Sequence, residues 1–123
     1  MSIVLRILIV ENHEATATFM SLFLKRSGHE VIVVPNAQAA LERNDLASFD
    51  VILSDIGLPD MNGWELMKQL RPNTPAFAIA MSGFGSEADV QWSLAAGYQH
   101  HLVKPFVPAA LEEVLQNVSP NRQ

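Results

Sequence analysis

Five short apolar runs alternate along this chain with stretches of helical spacing, and that alternation restricts the possible folds sharply. The runs are Ile7-Leu8-Ile9-Val10, Val31-Ile32-Val33-Val34, Val51-Ile52-Leu53, Ala76-Phe77-Ala78-Ile79-Ala80-Met81, and a fifth holding His101-Leu102-Val103. Uniformly apolar, β-branched strands predict a parallel sheet covered by helices on both faces, an α/β fold. Its crossovers are expected to be right-handed.

The helical stretches carry their own boundary signals. Ala15, Phe19, Leu22 and Phe23 recur at i, i+4, i+7 and i+8, which predicts one apolar helix face, with Gly28 closing the helix. Asn36 is a good N-cap for an Ala-rich helix expected to run to about Leu46. Asn62 and Glu65 form a capping pattern for a short helix that stops before Pro72. Ser86 and Asp89 cap a fourth helix that ends at Gly97. Pro108 suits the first turn of a fifth, although Val107 before it offers no side-chain cap.

A length of 123 residues fits a single domain. Its core is expected to run from about residue 3 to 118, with a frayed tail from about Val118 to Gln123. There is no cysteine, so neither disulfides nor thiolate metal sites hold the fold. The absence fits a reducing compartment. No apolar run approaches the ~18–20 residues of a membrane span. Met1-Ser2-Ile3-Val4-Leu5-Arg6 lacks the features of a signal peptide, so a cytoplasmic location without membrane contact is expected. Thirteen acids against eight bases give a net charge of −5, which argues against direct nucleic-acid binding.

In an open α/β sheet, ligands bind beyond the carboxyl ends of the strands. There the sequence puts Glu11-Asn12 after the first run, Asp55 after the third, Ser82 after the fourth and Lys104-Pro105 after the fifth. Singly, each has an ordinary explanation, since an Asp after a strand is usually a turn residue or a cap. Two carboxylates, an amide, a hydroxyl and an ammonium on one rim make a stronger case together.

These residues also carry a resemblance. Ile7-Leu8-Ile9-Val10-Glu11-Asn12-His13, Ser54-Asp55-Ile56-Gly57-Leu58-Pro59-Asp60-Met61-Asn62-Gly63, Met81-Ser82-Gly83 and Leu102-Val103-Lys104-Pro105-Phe106 resemble the signatures of response-regulator receiver domains of two-component signalling. The likeness runs from about Ile3 to Val118. It implies a flavodoxin-like (βα)5 sandwich with strand order 2-1-3-4-5. Gly97-Tyr98-Gln99-His100-His101-Leu102-Val103-Lys104-Pro105 resembles, in particular, receivers of hybrid sensor histidine kinases. Whether the chain stands alone or belongs to a longer kinase stays open.

The resemblance implies a phosphoacceptor rather than an enzyme. Asp55 would take a phosphoryl group from a phosphohistidine on a sensor histidine kinase or phosphotransfer domain. Mg²⁺ would be held by Glu11, Asn12, Asp55 and the Gly57 carbonyl. Ser82 and Lys104 would bind phosphoryl oxygens, and Ser82 with His101 would act as the switch, or His101 would simply pack. Asn12 stands where the family usually has an acid, so weaker Mg²⁺ binding is expected. The same departure leaves open a degenerate receiver that binds partners without phosphorylation. Adjacent His100 and His101 make a poor metal pair, since neighbours on a strand point to opposite faces.

The fourth helix carries two apolar stripes, Val90 with Leu94 and Ala88 with Trp92 and Ala96. Only one can face the sheet. Val90, Trp92 and Leu94 are therefore a candidate partner face, for a downstream protein or a second copy; in the receivers this chain resembles, the surface around this helix and the fifth strand often serves that role. Two enzyme readings compete. Gly83-x-Gly85-x-x-Ala88 matches a dinucleotide fingerprint, but after the fourth strand and followed by Lys104 where an acid belongs. A phospho-aspartate phosphatase would want a second Asp where Gly57 stands. No Walker-type P-loop is present.

Overall fold

The computed structural model describes residues 3–83 and 85–120. Its strands are β1 (Arg6–Val10), β2 (Glu30–Val34), β3 (Val51–Asp55), β4 (Phe77–Ser82) and β5 (His100–Val103). The helices are α1 (Glu14–Arg26), α2 (Ala37–Leu41), α3 (Gly63–Leu70), α4 (Glu87–Ala96) and α5 (Pro108–Leu115). All strand pairs are parallel, in the order β2-β1-β3-β4-β5. The expected α/β architecture and strand order are thus both present.

The sheet has an apolar layer on each face. One joins Ile7, Ile9, Leu53, Ile79 and Met81 to Met20 and Leu24 of α1 and to Leu111 and Leu115 of α5. The other joins Leu8, Val10, Ile52, Ala78 and Ala80 to α2, α3 and Ala96 of α4. β3 lies at the centre and is buried throughout. Burying each Leu, Ile or Val side chain there contributes about 1.5–3 kcal/mol, so continuous apolar runs fit the central strands. The edge strands β2 and β5 are only partly buried.

The capping signals work as read. Asn36 Oδ1 accepts from Ala39 N–H at 2.8 Å, and Asn62 Oδ1 from Glu65 N–H at 2.9 Å. Ser86 and Asp89 form a reciprocal capping box. Gly97 ends α4 with φ +114°, a conformation that costs a side chain dearly. Gly28 follows the last turn of α1 with φ +97°. Val107 caps α5 without a side-chain bond, as expected. The Lys104–Pro105 bond is cis.

Four expectations need correction. α2 ends at Leu41, not near Leu46, which belongs to a separate 3₁₀ turn. The Asn36 cap marks where the helix begins, and Glu42 closes its last turn by donating its N–H to the Gln38 carbonyl at 3.0 Å. The buried face of α1 is Ala17, Met20 and Leu24, while Phe19 and Leu22 are exposed. They flank the buried stripe: Phe19 lines a cleft with Phe106, and Leu22 lines another with Val33 and Pro35. Val118 is buried against the α1–α5 layer instead of opening the tail. Of the expected tail, 121–123 lie outside the described residues. On α4, neither apolar stripe alone faces the sheet. The inward residues are Ser93 and Ala96, with Val90 half-buried, while Trp92 and Leu94 are exposed on opposite flanks.

Candidate functional site at the carboxyl rim of the sheet

Register brings the rim together. β1 and β3 lie side by side, so Glu11 and Asp55 leave neighbouring strands at the same edge. Asp55 pairs in register with Met81, which places Ser82 one residue further along the adjacent strand. The Lys104 N–H donates to the Ser82 carbonyl at 2.7 Å, tying the end of β5 to the end of β4.

Lys104 is the centre of the site. Its Nζ donates to Glu11 Oε1 at 2.6 Å and to Asp55 Oδ2 at 3.2 Å. Both carboxylates are recessed, with Glu11 2% and Asp55 9% exposed. Burial opposes the Lys104 charge, but the hydrogen bonds and charges of Glu11 and Asp55 outweigh it and raise the lysine's pKa. The second oxygens are used as well. Glu11 Oε2 accepts from the His13 N–H at 3.1 Å, and Asp55 Oδ1 from the Gly57 N–H at 3.1 Å.

The backbone around Asp55 is clamped from both sides. The Ile56 N–H donates to the Met81 carbonyl at 2.9 Å, and the Gly63 N–H to the Ile56 carbonyl at 2.8 Å. Tyr98 Oη donates to the Gly63 carbonyl at 2.8 Å. Burial pushes the pKa of that phenol up, so it stays a donor. A Cβ at Gly63 would lie 2.6 Å from the Asp55 carbonyl oxygen and 2.8 Å from Ile56 Cα. Glycine there is a steric requirement of the segment that carries the carboxylate. Asp60 accepts from the N–H groups of Ala37 and Gln38, tying the loop after β3 to the start of α2.

Lys104 contacts both Glu11 and Asp55, and the Gly57 N–H is bonded to Asp55. Asn12 is exposed beside Glu11 and lines the cleft between α1 and β2. Among the described residues, no three His, Cys, Asp or Glu side chains gather to hold a metal. The oxygen donors that Lys104 brings together on the rim are the two buried carboxylates of Glu11 and Asp55. These are hard oxygen ligands that suit a small divalent cation which keeps several waters.

Ser82 turns towards β5, where its Oγ lies 3.0 Å from His101 Nε2. His101 Nδ1 lies 2.8 Å from Ser93 Oγ on α4. Ser93 also accepts from Trp64 Nε1 of α3 at 2.9 Å. Sequence reading missed Ser93 and Trp64. The available signal was a serine between Trp92 and Leu94, on a helix whose apolar stripes disagreed about the inward face. Gly85, one glycine of the dinucleotide-like pattern, has a packing reason instead: a Cβ there would collide with the Val103 side chain.

A family model described as response regulator receiver domain matches residues 7–116. The chain is 35% identical over 100 residues to the sensory transduction protein RegX3 of Mycobacterium tuberculosis, covering 81% of this chain and 44% of RegX3. It thus spans less than half of that relative. It is 34% identical over 120 residues to the chemotaxis protein CheY of Thermotoga maritima, covering 93% of this chain and 97% of that protein. The structure of CheY4 from Vibrio cholerae superposes with a TM-score of 0.84 at 29% identity, covering 95% and 100% of the two chains. Domains of this kind are signalling proteins. Apart from Arg6 at the start of β1, the matched segment holds all five strands and the whole rim from Glu11 to Lys104, and the chain belongs to the response regulator receiver domain family.

Proposed function

We propose that Asp55 is the phosphoacceptor of a two-component phosphorelay, taking its phosphoryl group from a phosphohistidine of a sensor histidine kinase or phosphotransfer domain. The observation that carries this reading is the convergence of Glu11 and Asp55 on Lys104 at the end of the central strand. A carboxylate is ionised at neutral pH and needs no base to attack. An Asp55 oxygen bonds to phosphorus as the phosphorus–nitrogen bond breaks. The departing imidazole keeps the electron pair and takes up a proton.

The protein's part is positioning and charge. The Gly57 N–H holds one Asp55 oxygen. The Lys104 ammonium, already beside the other, offsets negative charge on a phosphoryl oxygen. Ser82 donates to another. Glu11, Asp55, the Gly57 carbonyl and the Asn12 side-chain oxygen would hold Mg²⁺, which neutralises phosphoryl charge when bound. With an amide in place of an acid at position 12, that affinity is lower than in a three-acid site.

The degenerate-receiver alternative is not favoured, because Asp55, Lys104 and Ser82 are all in place. Phe19, Phe23 and Phe106 line an apolar cleft beside Lys104, a suitable surface for the phosphodonor. The exposed flanks of α4 and β5, with Trp92, Leu94 and Val103, suit a downstream protein or a second copy. Among the described residues no helix is long and apolar enough to cross a membrane, which fits a domain acting in the cytoplasm.

Intact-mass analysis after incubation with acetyl phosphate and Mg²⁺ tests the proposal. One phosphoryl group is expected on the wild type and none on Asp55→Asn. Equal modification of both, or of neither, overturns it.

A further inference from the structure

The bonds that run from Trp64 to Ser82 have a direction. An indole N–H only donates, so Ser93 Oγ must accept from Trp64 at 2.9 Å. Ser93 has one hydroxyl hydrogen, and its other partner is His101 Nδ1 at 2.8 Å. Giving that hydrogen to Nδ1 leaves the neutral imidazole with its proton on Nε2, which lies 3.0 Å from Ser82 Oγ. Assigned in this way, three consecutive bonds point from the α3–α4 face towards the phosphorylation site. Ser93 is wholly buried and His101 half-buried, so water competes poorly along the line.

We propose that Trp64 and Ser93 are positioning residues that hold His101 as the Nε2–H tautomer, so that Ser82 accepts from His101 and gives its own hydrogen to a phosphoryl oxygen on Asp55. The inference rests on the phosphoacceptor reading above. Donors aligned head to tail polarise one another, and an anion at the end strengthens each. With Trp64 unable to donate, or Ser93 absent, the imidazole loses its bias. In the opposite tautomer Nε2 accepts the Ser82 hydroxyl's hydrogen bond, which is then withheld from the phosphoryl group.

The test uses Mg²⁺ and beryllofluoride as the phosphoryl mimic. The proteins are wild type, Trp64→Phe, Ser93→Ala and Ser93→Thr, the last retaining the hydroxyl. Nitrogen chemical shifts of His101, recorded near pH 8 where an ordinary imidazole is neutral, report the tautomer. In the wild type, Nδ1 is expected to read as the unprotonated nitrogen. Trp64→Phe and Ser93→Ala are expected to mix the tautomers and to weaken beryllofluoride binding about two- to tenfold, the weight of one hydrogen bond. Mg²⁺ affinity should stay unchanged, and Ser93→Thr should behave as wild type. The inference is overturned if Nδ1 carries the proton in the wild type, or if tautomer and binding do not change together. A wild type that binds no beryllofluoride and takes no phosphoryl group sinks the phosphoacceptor reading itself. Normal modification with unshifted variants sinks only the relay.

Discussion

Lys104 lies closer to Glu11, at 2.6 Å, than to Asp55, at 3.2 Å. The Glu11 side chain has no exposed surface, whereas Lys104 keeps about a quarter of its own. The lysine thus serves two carboxylates at once, and the more deeply buried one holds it more tightly. On the proposed phosphoacceptor reading, a phosphoryl group on Asp55 competes with Glu11 for the Lys104 ammonium.

Removing Lys104 should therefore cost stability as well as phosphoryl binding. Lys104→Ala strands the buried Glu11 charge without its cation. We expect a loss of about 1–3 kcal/mol, read from urea unfolding. Mg²⁺ should restore part of that loss by supplying positive charge to the same carboxylates, and should do less for the wild type. A variant as stable as the wild type in metal-free buffer would contradict this account.

Gly63→Ala should disturb the site from beneath. The added Cβ would meet the Asp55 carbonyl oxygen at 2.6 Å and Ile56 Cα at 2.8 Å, neither of which can swing aside. Overpacking of this kind costs about 1–3 kcal/mol. The substitution is expected to lower the unfolding midpoint and to slow modification by acetyl phosphate together, whereas a stability loss alone would mean that the Asp55 backbone tolerates the shift.

Asn12→Asp adds a charge next to Glu11. At about 4 Å in water, one more charge is worth about 1 kcal/mol, so Mg²⁺ should bind about fivefold more tightly per elementary charge on the ion. Titrating Mg²⁺ into both proteins and following amide shifts decides the matter. Equal affinities would remove position 12 from the metal site.

At the opposite end of the sheet, His29 makes folding sensitive to acid. Its Nδ1 accepts from the Leu5 N–H at 3.0 Å, which a protonated ring cannot do. Burial lowers its pKa from the ordinary histidine value, and the facing Glu112 only partly offsets the effect. The folded form thus binds the proton less readily than the unfolded chain. Its contribution is present above pH 6.5 and is lost as pH falls through the lowered value. Urea midpoints should drop on going from about pH 7.5 to pH 5.5, and the drop should be smaller in His29→Gln. Parallel pH profiles would assign the acid sensitivity elsewhere.

Much of this protein is local and therefore legible in the residue order. The central strands read as continuous apolar runs because they are buried on both faces. Asn36, Asn62, Ser86 and Gly97 mark helix ends because a cap is satisfied within a few residues of itself. Glu11, Asp55, Ser82 and Lys104 are identifiable because each ends or follows a strand, and parallel strands deliver their ends to one rim.

What needed the tertiary structure was every choice between nearly equivalent surfaces. On α1 and α4 the apolar residues outnumber the positions that face the sheet, so periodicity alone could not select the inward set. Neighbouring elements chose Met20 and Leu24 over Phe19 and Leu22, and turned Ser93 inward rather than Trp92 or Leu94. The division of Lys104 between two acids, and the line from Trp64 through Ser93 and His101 to Ser82, join residues 8 to 93 positions apart. Such bonds depend on angles and distances between whole elements, which the order of residues along a chain does not encode locally.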